Sequence, residues 1–354
     1  LNRPKALNAL NYNMIKAITS ALLAWRNDDN IAAVVIKAHN DRAFCAGGDI
    51  KLLYQNGRTQ TDECMNFFYD EYRLNTLIKY YPKPYIALIN GITMGGGIGI
   101  SLHGSHVVAT HDLSLAMPES SIGFFTDIGA SYFLPRCPDY TGYYMGLTGD
   151  KINCNDAKYI GLITNIVSNT NYHDAFNNII EDLLNTHFTK NKNTNCNVIN
   201  KLLTSHTTDR ILDIDNSKNK IINNVINIKN AFNAANIKQI YNNLTLLNNE
   251  WATKVLTTLK TKSPTSLLLI LELLTRGSEL NFAKCMQMEY AVAYGFLTND
   301  DFYEGVRALL IDKDNTPNWH EVKLNRDQSF NYKEYFNQSK ADKLHLEDLI
   351  VLER

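Results

Sequence analysis

Residues 117–127 read Met-Pro-Glu-Ser-Ser-Ile-Gly-Phe-Phe-Thr-Asp, so Glu119 and Asp127 lie close together, and the glycine cluster Gly95-Gly96-Gly97 stands a short way upstream. Glycine has no Cβ. Consecutive glycines therefore let main-chain N–H groups converge on a carbonyl oxygen that becomes negative during acyl chemistry. A second glycine turn, Ala43-Phe44-Cys45-Ala46-Gly47-Gly48-Asp49-Ile50, follows the β-branched run Val34-Val35-Ile36 and precedes a helix-like stretch. Two turns can contribute one donor each, and losing one such donor typically costs about 3 kcal/mol of transition-state stabilisation. A polarised carbonyl beside two carboxylates points to acyl transfer. Taken singly the features are less telling. Alone, each glycine cluster reads first as a plain tight turn, Glu119 equally as a salt-bridged or helix-start carboxylate, and Asp127 equally as a turn former beside Gly129. The catalytic reading rests on their joint occurrence.

The elements that must position these groups alternate in type. Over residues 1–170, short β-branched runs (Val34 to Ile36, Tyr85 to Ile89, Val107 to Ala109, Ile163 to Val167) alternate with helix-like segments such as Asn13 to Trp25, which predicts an α/β core. Residues 171–354 read as helical. The first part, to about 262, is rich in asparagine and lysine but keeps helix-period apolar positions, so it is a helical region with a solvated surface. Beyond it, Ser263 suits an N-cap, Pro264 a first turn, and Gly277 the exit of a helix whose leucine run belongs to the core.

Composition narrows the chemistry. The 354 residues are 45% hydrophobic and 20% charged, an ordinary globular balance, and a formal net charge of -1 speaks against nucleic acid as a partner. The six cysteines form no CxxC pair and no regular spacing, which favours buried thiols over zinc or disulfides. His103, His106 and His111 lack the spacing of a metal site, so no metal is expected. The most apolar window, Ile86 to Leu102, contains Asn90 and five glycines, too short and broken for a membrane span. No GxSxG elbow and no GxGxxG is present, against a serine-triad hydrolase and a dinucleotide enzyme. The chain opens Leu1-Asn2-Arg3-Pro4, without methionine, and a longer natural N-terminus carrying any targeting signal is expected.

Three segments resemble the crotonase (enoyl-CoA hydratase/isomerase) superfamily: Leu1 to Leu10, Phe44 to Ile50, and Gly91-Ile92-Thr93-Met94-Gly95-Gly96-Gly97. Ala116 to Glu119, Gly123 to Asp127, Tyr132 to Arg136 and Asp301 to Asp314 are similar to the subgroup that hydrolyses 3-hydroxyisobutyryl-CoA. The resemblance implies a crotonase-like spiral of β-β-α turns with a helical C-terminal region, an acyl-CoA substrate bent into a pocket, and no cofactor, since CoA is part of the substrate. By resemblance the oxyanion donors fall on the N–H groups of Ala46 and Gly96, and Lys5, Ala6, Gly48 and Ile50 line the CoA part. Lys5 reads equally as a solvated lysine. Glu71 matches a substrate-pocket position, or is a carboxylate on a helix surface. Enoyl-CoA hydratases carry a glutamate three residues beyond the oxyanion glycine; here that position is Gly99, and Asp127 supplies a carboxylate from another direction. The pattern implies hydrolysis of a 3-hydroxyacyl thioester, the free acid of 3-hydroxyisobutyryl-CoA or 3-hydroxypropionyl-CoA being the product. Glu119 is then nucleophile or general base, and Asp127 holds the 3-hydroxyl. An enoyl-CoA hydratase and a silent acyl-CoA binder are the alternatives. A homo-oligomer is compatible with the resemblance, as are a cytoplasmic location for a bacterial chain and a mitochondrial one for a eukaryotic chain.

Overall fold

In the computed structural model, residues 1–39, 42–59, 61–168, 171–208, 216–322 and 330–350 are described. The expected boundary at 170 and the last residues of the helical region, 351–354, lie outside them.

Strands β1 (Val34–Lys37), β2 (Ala43–Cys45), β3 (Tyr85–Ile89), β4 (Ile92–Met94), β5 (His106–Ala109), β6 (Ser114–Ala116), β7 (Asn165–Val167) and β8 (Thr207–Thr208) form two sheets. The odd strands β1-β3-β5-β7 build one sheet and the even strands β2-β4-β6 the other, so from β1 to β7 the chain crosses from sheet to sheet with every strand. All neighbours within that progression run parallel, and only β8 pairs antiparallel, with β7. This is a spiral of β-β-α turns. The central strands β3 and β5 are buried along their whole length, as a parallel sheet covered on both faces requires.

Helices fill the turns of the spiral: α1 (Tyr12–Trp25), α2 (Ile50–Asn56), α3 (Thr61–Lys79), α4 (Gly96–Gly99), α5 (Ala130–Phe133), α6 (Thr141–Thr148) and α7 (Cys154–Tyr159). The asparagine-rich stretch is helical as expected, in α8 (Tyr172–Leu184), α9 (Lys192–Leu203), α10 (Val225–Phe232), α11 (Ile237–Leu247) and α12 (Glu250–Lys260). Its composition has a local reason. Asn191, Asn236 and Asn249 each accept a backbone N–H from three residues ahead and so cap α9, α11 and α12. The first part of this stretch belongs to the spiral rather than standing apart. Phe176, Ile179 and Leu183 of α8 and Ile199 and Leu203 of α9 pack on Ile86, Leu88 and Val108, the outer face of the large sheet.

α13 (Pro264–Gly277), α14 (Phe282–Leu297) and α15 (Asp300–Val306) close the molecule. Ser263 caps α13, its Oγ accepting from Ser266 N, and Leu267 to Leu271, Leu273 and Leu274 are core. α15 lies directly on the turn that carries Glu119. A Cβ on Gly123 would stand 2.0 Å from the Asp301 carbonyl oxygen, and one on Gly305 would stand 2.3 Å from the Ile122 carbonyl carbon. Glycine at both positions permits that contact.

Candidate active site

A cleft of about 810 Å³ gathers every site residue expected above: Lys5, Ala6, Ala46, Gly48, Ile50, Glu71, Gly96, Glu119 and Asp127 all line it. Its floor is made by the two glycine turns. At Gly47, with φ +113°, a Cβ would lie 4.0 Å from both Gly95 Cα and Gly96 N, and one at Gly96 would lie 3.3 Å from Gly48 N. The turns therefore touch.

Which N–H groups face the cleft differs from expectation at one position. Ala46 N donates to Leu7 O at 3.0 Å, so that donor is committed to the N-terminal turn. Leu10 N in turn donates to Gly47 O, and Asp49 N to Leu10 O, which lays residues 7–10 beside the second glycine turn and leaves the Gly48 N–H without an acceptor among the described residues. Gly48, not Ala46, supplies the free donor next to Gly96. The Gly96 N–H heads α4 and is one of the orphan donors of a helix start.

Three carboxylates converge on this floor. Glu119 opens the 3-10 turn Glu119–Ile122 after β6, and its Oε1 stands 3.2 Å from where a Cβ on Gly95 would be. Glu71 projects from α3, with Oε1 2.6 Å from the Cβ position of Gly96. It is 2% exposed, which removes the helix-surface reading. Asp127 accepts a hydrogen bond from the Tyr72 hydroxyl at 2.9 Å. Glu71 Oε1 and Glu119 Oε2 have no partner among the described residues, so both carboxylates keep an oxygen for a ligand. Aromatic rings close the apolar side, Phe68 stacking on Phe124 at 5.7 Å.

Burial and mutual repulsion hold protons on this cluster. Desolvation, then the neighbouring Asp127 charge, raises Glu119 and Glu71 well above the usual carboxylate range. Asp127 is pushed up to about 7 by desolvation, against the lowering effect of the Tyr72 hydroxyl. An acid that titrates near neutrality, as Asp127 does, suits proton transfer at physiological pH.

No carboxylate can reach in from Gly99. A Cβ there would stand 2.7 Å from Asn75 Nδ2 and 3.0 Å from Ile128 Cβ, so the space a hydratase glutamate needs is occupied. The three histidines are engaged apart from one another: His103 Nε2 with Ile128 O, His106 with Ser105 and Asn200, His111 Nε2 with Val167 O. Among the described residues no group of three or more potential ligands could hold a metal, and no helix is long and apolar enough to cross a membrane.

Several residues in and around the cleft escaped the sequence reading. Arg3 Nη2 pairs with Asp49 at 2.8 Å and Arg3 Nη1 donates to Ala9 O, pinning the N-terminal turn beside the glycines. After α15 the chain makes one π turn, Arg307–Ile311, in which Asp312 N donates to Arg307 O; this rotates Leu309, Leu310 and Lys313 into the cleft wall. Arg307 fixes the turn through Glu304, Asp312 and Asp314. Glu289 of α14 is fully buried and bonds the backbone just after Asp127. Its signal was available in the sequence: it falls on the apolar stripe of α14 with Phe282, Cys285, Met286, Ala293 and Phe296.

Comparison with known proteins agrees with this geometry. Residues 1–336 match the model of a family described as enoyl-CoA hydratase/isomerase. The chain is 41% identical to the mitochondrial 3-hydroxyisobutyryl-CoA hydrolase of Dictyostelium discoideum, over 90% of this chain and 83% of that protein. It is 38% identical to the protein of the same name in Homo sapiens, over 92% and 81%. Among solved structures, a carnitinyl-CoA dehydratase from Mycobacterium thermoresistibile superposes with a TM-score of 0.85 at 30% identity, covering 98% of this chain and 95% of that one. An enoyl-CoA hydratase from Rhodobacter sphaeroides 2.4.1 gives 0.80 at 30% identity, covering 95% and 93%. The alternating sheets are thus those of the crotonase fold, and the chain belongs to the enoyl-CoA hydratase/isomerase family.

Proposed function

We propose that this chain hydrolyses the thioester of 3-hydroxyisobutyryl-CoA to the free hydroxy acid and CoA, a step of valine breakdown. The observation that carries the reading is the arrangement of carboxylates. Glu119 and Asp127 flank the paired glycine turns, while the hydratase position, Gly99, has neither a carboxylate nor room for one. Relatives at about 40% identity that bear this activity in their names support the choice within the family.

In this reading the thioester oxygen sits between the N–H groups of Gly48 and Gly96, which stabilise the charge that develops as the carbonyl is attacked. Glu119 either attacks that carbon, forming a mixed anhydride that water then opens, or takes a proton from the attacking water. Asp127, steadied by Tyr72, holds the substrate's 3-hydroxyl and passes a proton to the departing thiolate. Glu71 borders the acyl part. Lys5, Ala6 and Ile50 border the CoA part, which enters along the N-terminal turn. The substrate is a small molecule that brings its own CoA, so no separate cofactor is required. The mitochondrial relatives favour a mitochondrial location for a eukaryotic chain and leave cytoplasm for a bacterial one.

The test is free-thiol release from 3-hydroxyisobutyryl-CoA by the wild type, Glu119→Gln and Asp127→Asn, with crotonyl-CoA in parallel. Thiol release cut to a small but measurable residual rate by both substitutions is expected. Hydration of crotonyl-CoA without thiol release would overturn the reading in favour of a hydratase, and binding without either reaction would indicate a silent acyl-CoA binder. One turnover in labelled water separates the two routes: label retained in Glu119 marks the anhydride, and its absence favours direct attack by water.

A further inference from the structure

Asp127 is followed by a turn that its own sequence disfavours. Ala130 N donates to Asp127 O at 3.0 Å, and both central residues are left-handed, Ile128 at φ +55° and Gly129 at φ +88°. Glycine accepts this conformation; a β-branched residue resists it, because Cβ crowds the following carbonyl. Such backbone persists only where its surroundings over-determine it. Two side chains do so here. The ring of His103 meets Ile128 O through Nε2 at 2.7 Å. Glu289, fully buried and 158 or more residues away in sequence, accepts from Gly129 N at 2.7 Å, from Ser131 N at 2.9 Å and from the Ser131 hydroxyl at 2.5 Å.

We propose that Glu289 is a positioning residue: by accepting three hydrogen bonds from the strained turn 128–131, it fixes the direction in which Asp127 presents its carboxylate to the substrate. While Ala130 N closes the turn on Asp127 O, the Gly129 N–H, the Ser131 N–H and the Ser131 hydroxyl all point at Glu289. Oε2 serves Gly129 and Oε1 serves Ser131 twice, so neither oxygen is spare for substrate, and Glu289 does not line the cleft. A carboxamide in its place keeps the volume but must turn an NH₂ toward an N–H at one of the two ends. The turn would then relax toward right-handed backbone, carrying Asp127 with it. The idea rests on the hydrolase reading for its kinetic consequence, not for its geometry.

The experiment compares wild type, Glu289→Gln, Asp127→Asn and the double variant in thiol release from 3-hydroxyisobutyryl-CoA, with deuterium uptake of the peptide spanning 127–133. Glu289→Gln is expected to lower kcat on the order of 10- to 100-fold, the scale of an ångström-sized misplacement, with KM nearly unchanged. In the Asp127→Asn background it is expected to cost nothing further, since the group it aims is gone. Uptake across 127–133 rises. Wild-type kcat in Glu289→Gln, or an equal loss with and without Asp127, would overturn the proposal. Should Glu289→Gln fail to fold, Ser131→Ala removes one of the three donors and leaves Glu289 in place; a smaller kcat loss at constant KM is expected, and wild-type kcat overturns it. If the wild type releases no thiol, the hydrolase reading falls, and the clamp is judged on peptide uptake: unchanged protection in Glu289→Gln refutes it.

Discussion

Replacing Asp127 by asparagine should make this protein more stable while disabling it, and the gain should depend on pH in a defined direction. The Asp127 carboxyl titrates near 3.8 when solvated and at about 7 in the fold, chiefly because burial penalises its charge. Below the lower value both states are protonated and nothing is lost. As pH rises from about 4 to 7 the unfolded chain ionises freely while the folded chain holds its proton, so folding becomes progressively less favourable; above 7 the penalty is complete. Three pH units at 1.36 kcal/mol each set a ceiling of about 4 kcal/mol. Asparagine has no charge to bury, still offers an oxygen to the Tyr72 hydroxyl, and removes the repulsion that Asp127 exerts on Glu119 and Glu71. Urea unfolding of wild type and Asp127→Asn from pH 4 to pH 8.5 reads the difference directly. At pH 8 the variant should be more stable by roughly 1–4 kcal/mol, and near pH 4 the two should coincide. Equal stability at pH 8, or an advantage of the same size at pH 4, would refute the claim that Asp127 is a buried acid in electrostatic tension with its site.

Other outcomes follow from the same geometry. Tyr72→Phe withdraws a donor that favours ionised Asp127, so the alkaline limb of the kcat/KM profile, where Asp127 loses the proton it must pass to the thiolate, should move up by about 1–2 pH units; an unmoved limb would mean that Asp127 does not set it. Gly96→Ala places a Cβ 2.6 Å from Glu71 Oε1 and 3.3 Å from Gly48 N, which spreads the two donors, and thiol release should fall on the order of 100-fold. Activity near wild type in that variant would show that the oxyanion is held elsewhere.

The α/β alternation, the glycine turns and the Glu119–Asp127 pair were legible because they are written locally, while the spiral itself, Glu71 and the CoA-lining positions came from the family resemblance. Strand runs, glycine turns and the Glu119 to Asp127 segment each keep their meaning within a dozen residues, and the nine residues singled out meet in one cleft. What depended on distant partners was not legible. The second glycine turn was recognisable, but which of its N–H groups stays free is decided by Leu7 O, and that contact moved the donor from Ala46 to Gly48. The strand expected from Ile163 starts at Asn165, because the Thr164 hydroxyl takes over the pairing with Val107 N that a strand backbone would have made. Glu289 could be noticed as a carboxylate on an apolar stripe, yet its target, two N–H groups of a turn far upstream, exists only in the folded chain. The π turn after α15 has no periodic signature at all, being a single extra residue in a helix end.

The wall of the cleft runs from Arg3 to Lys313, and α15 lies on the turn bearing Glu119. Almost the whole chain must therefore be threaded and packed before the pocket exists. During synthesis the glycine turns and both carboxylates leave the ribosome long before the segment that roofs them, so the nascent protein carries a full set of reactive groups with no enclosure to concentrate them. Catalysis should switch on late and all at once, and a polypeptide cut short anywhere ahead of α15 should be inert even where its spiral has formed.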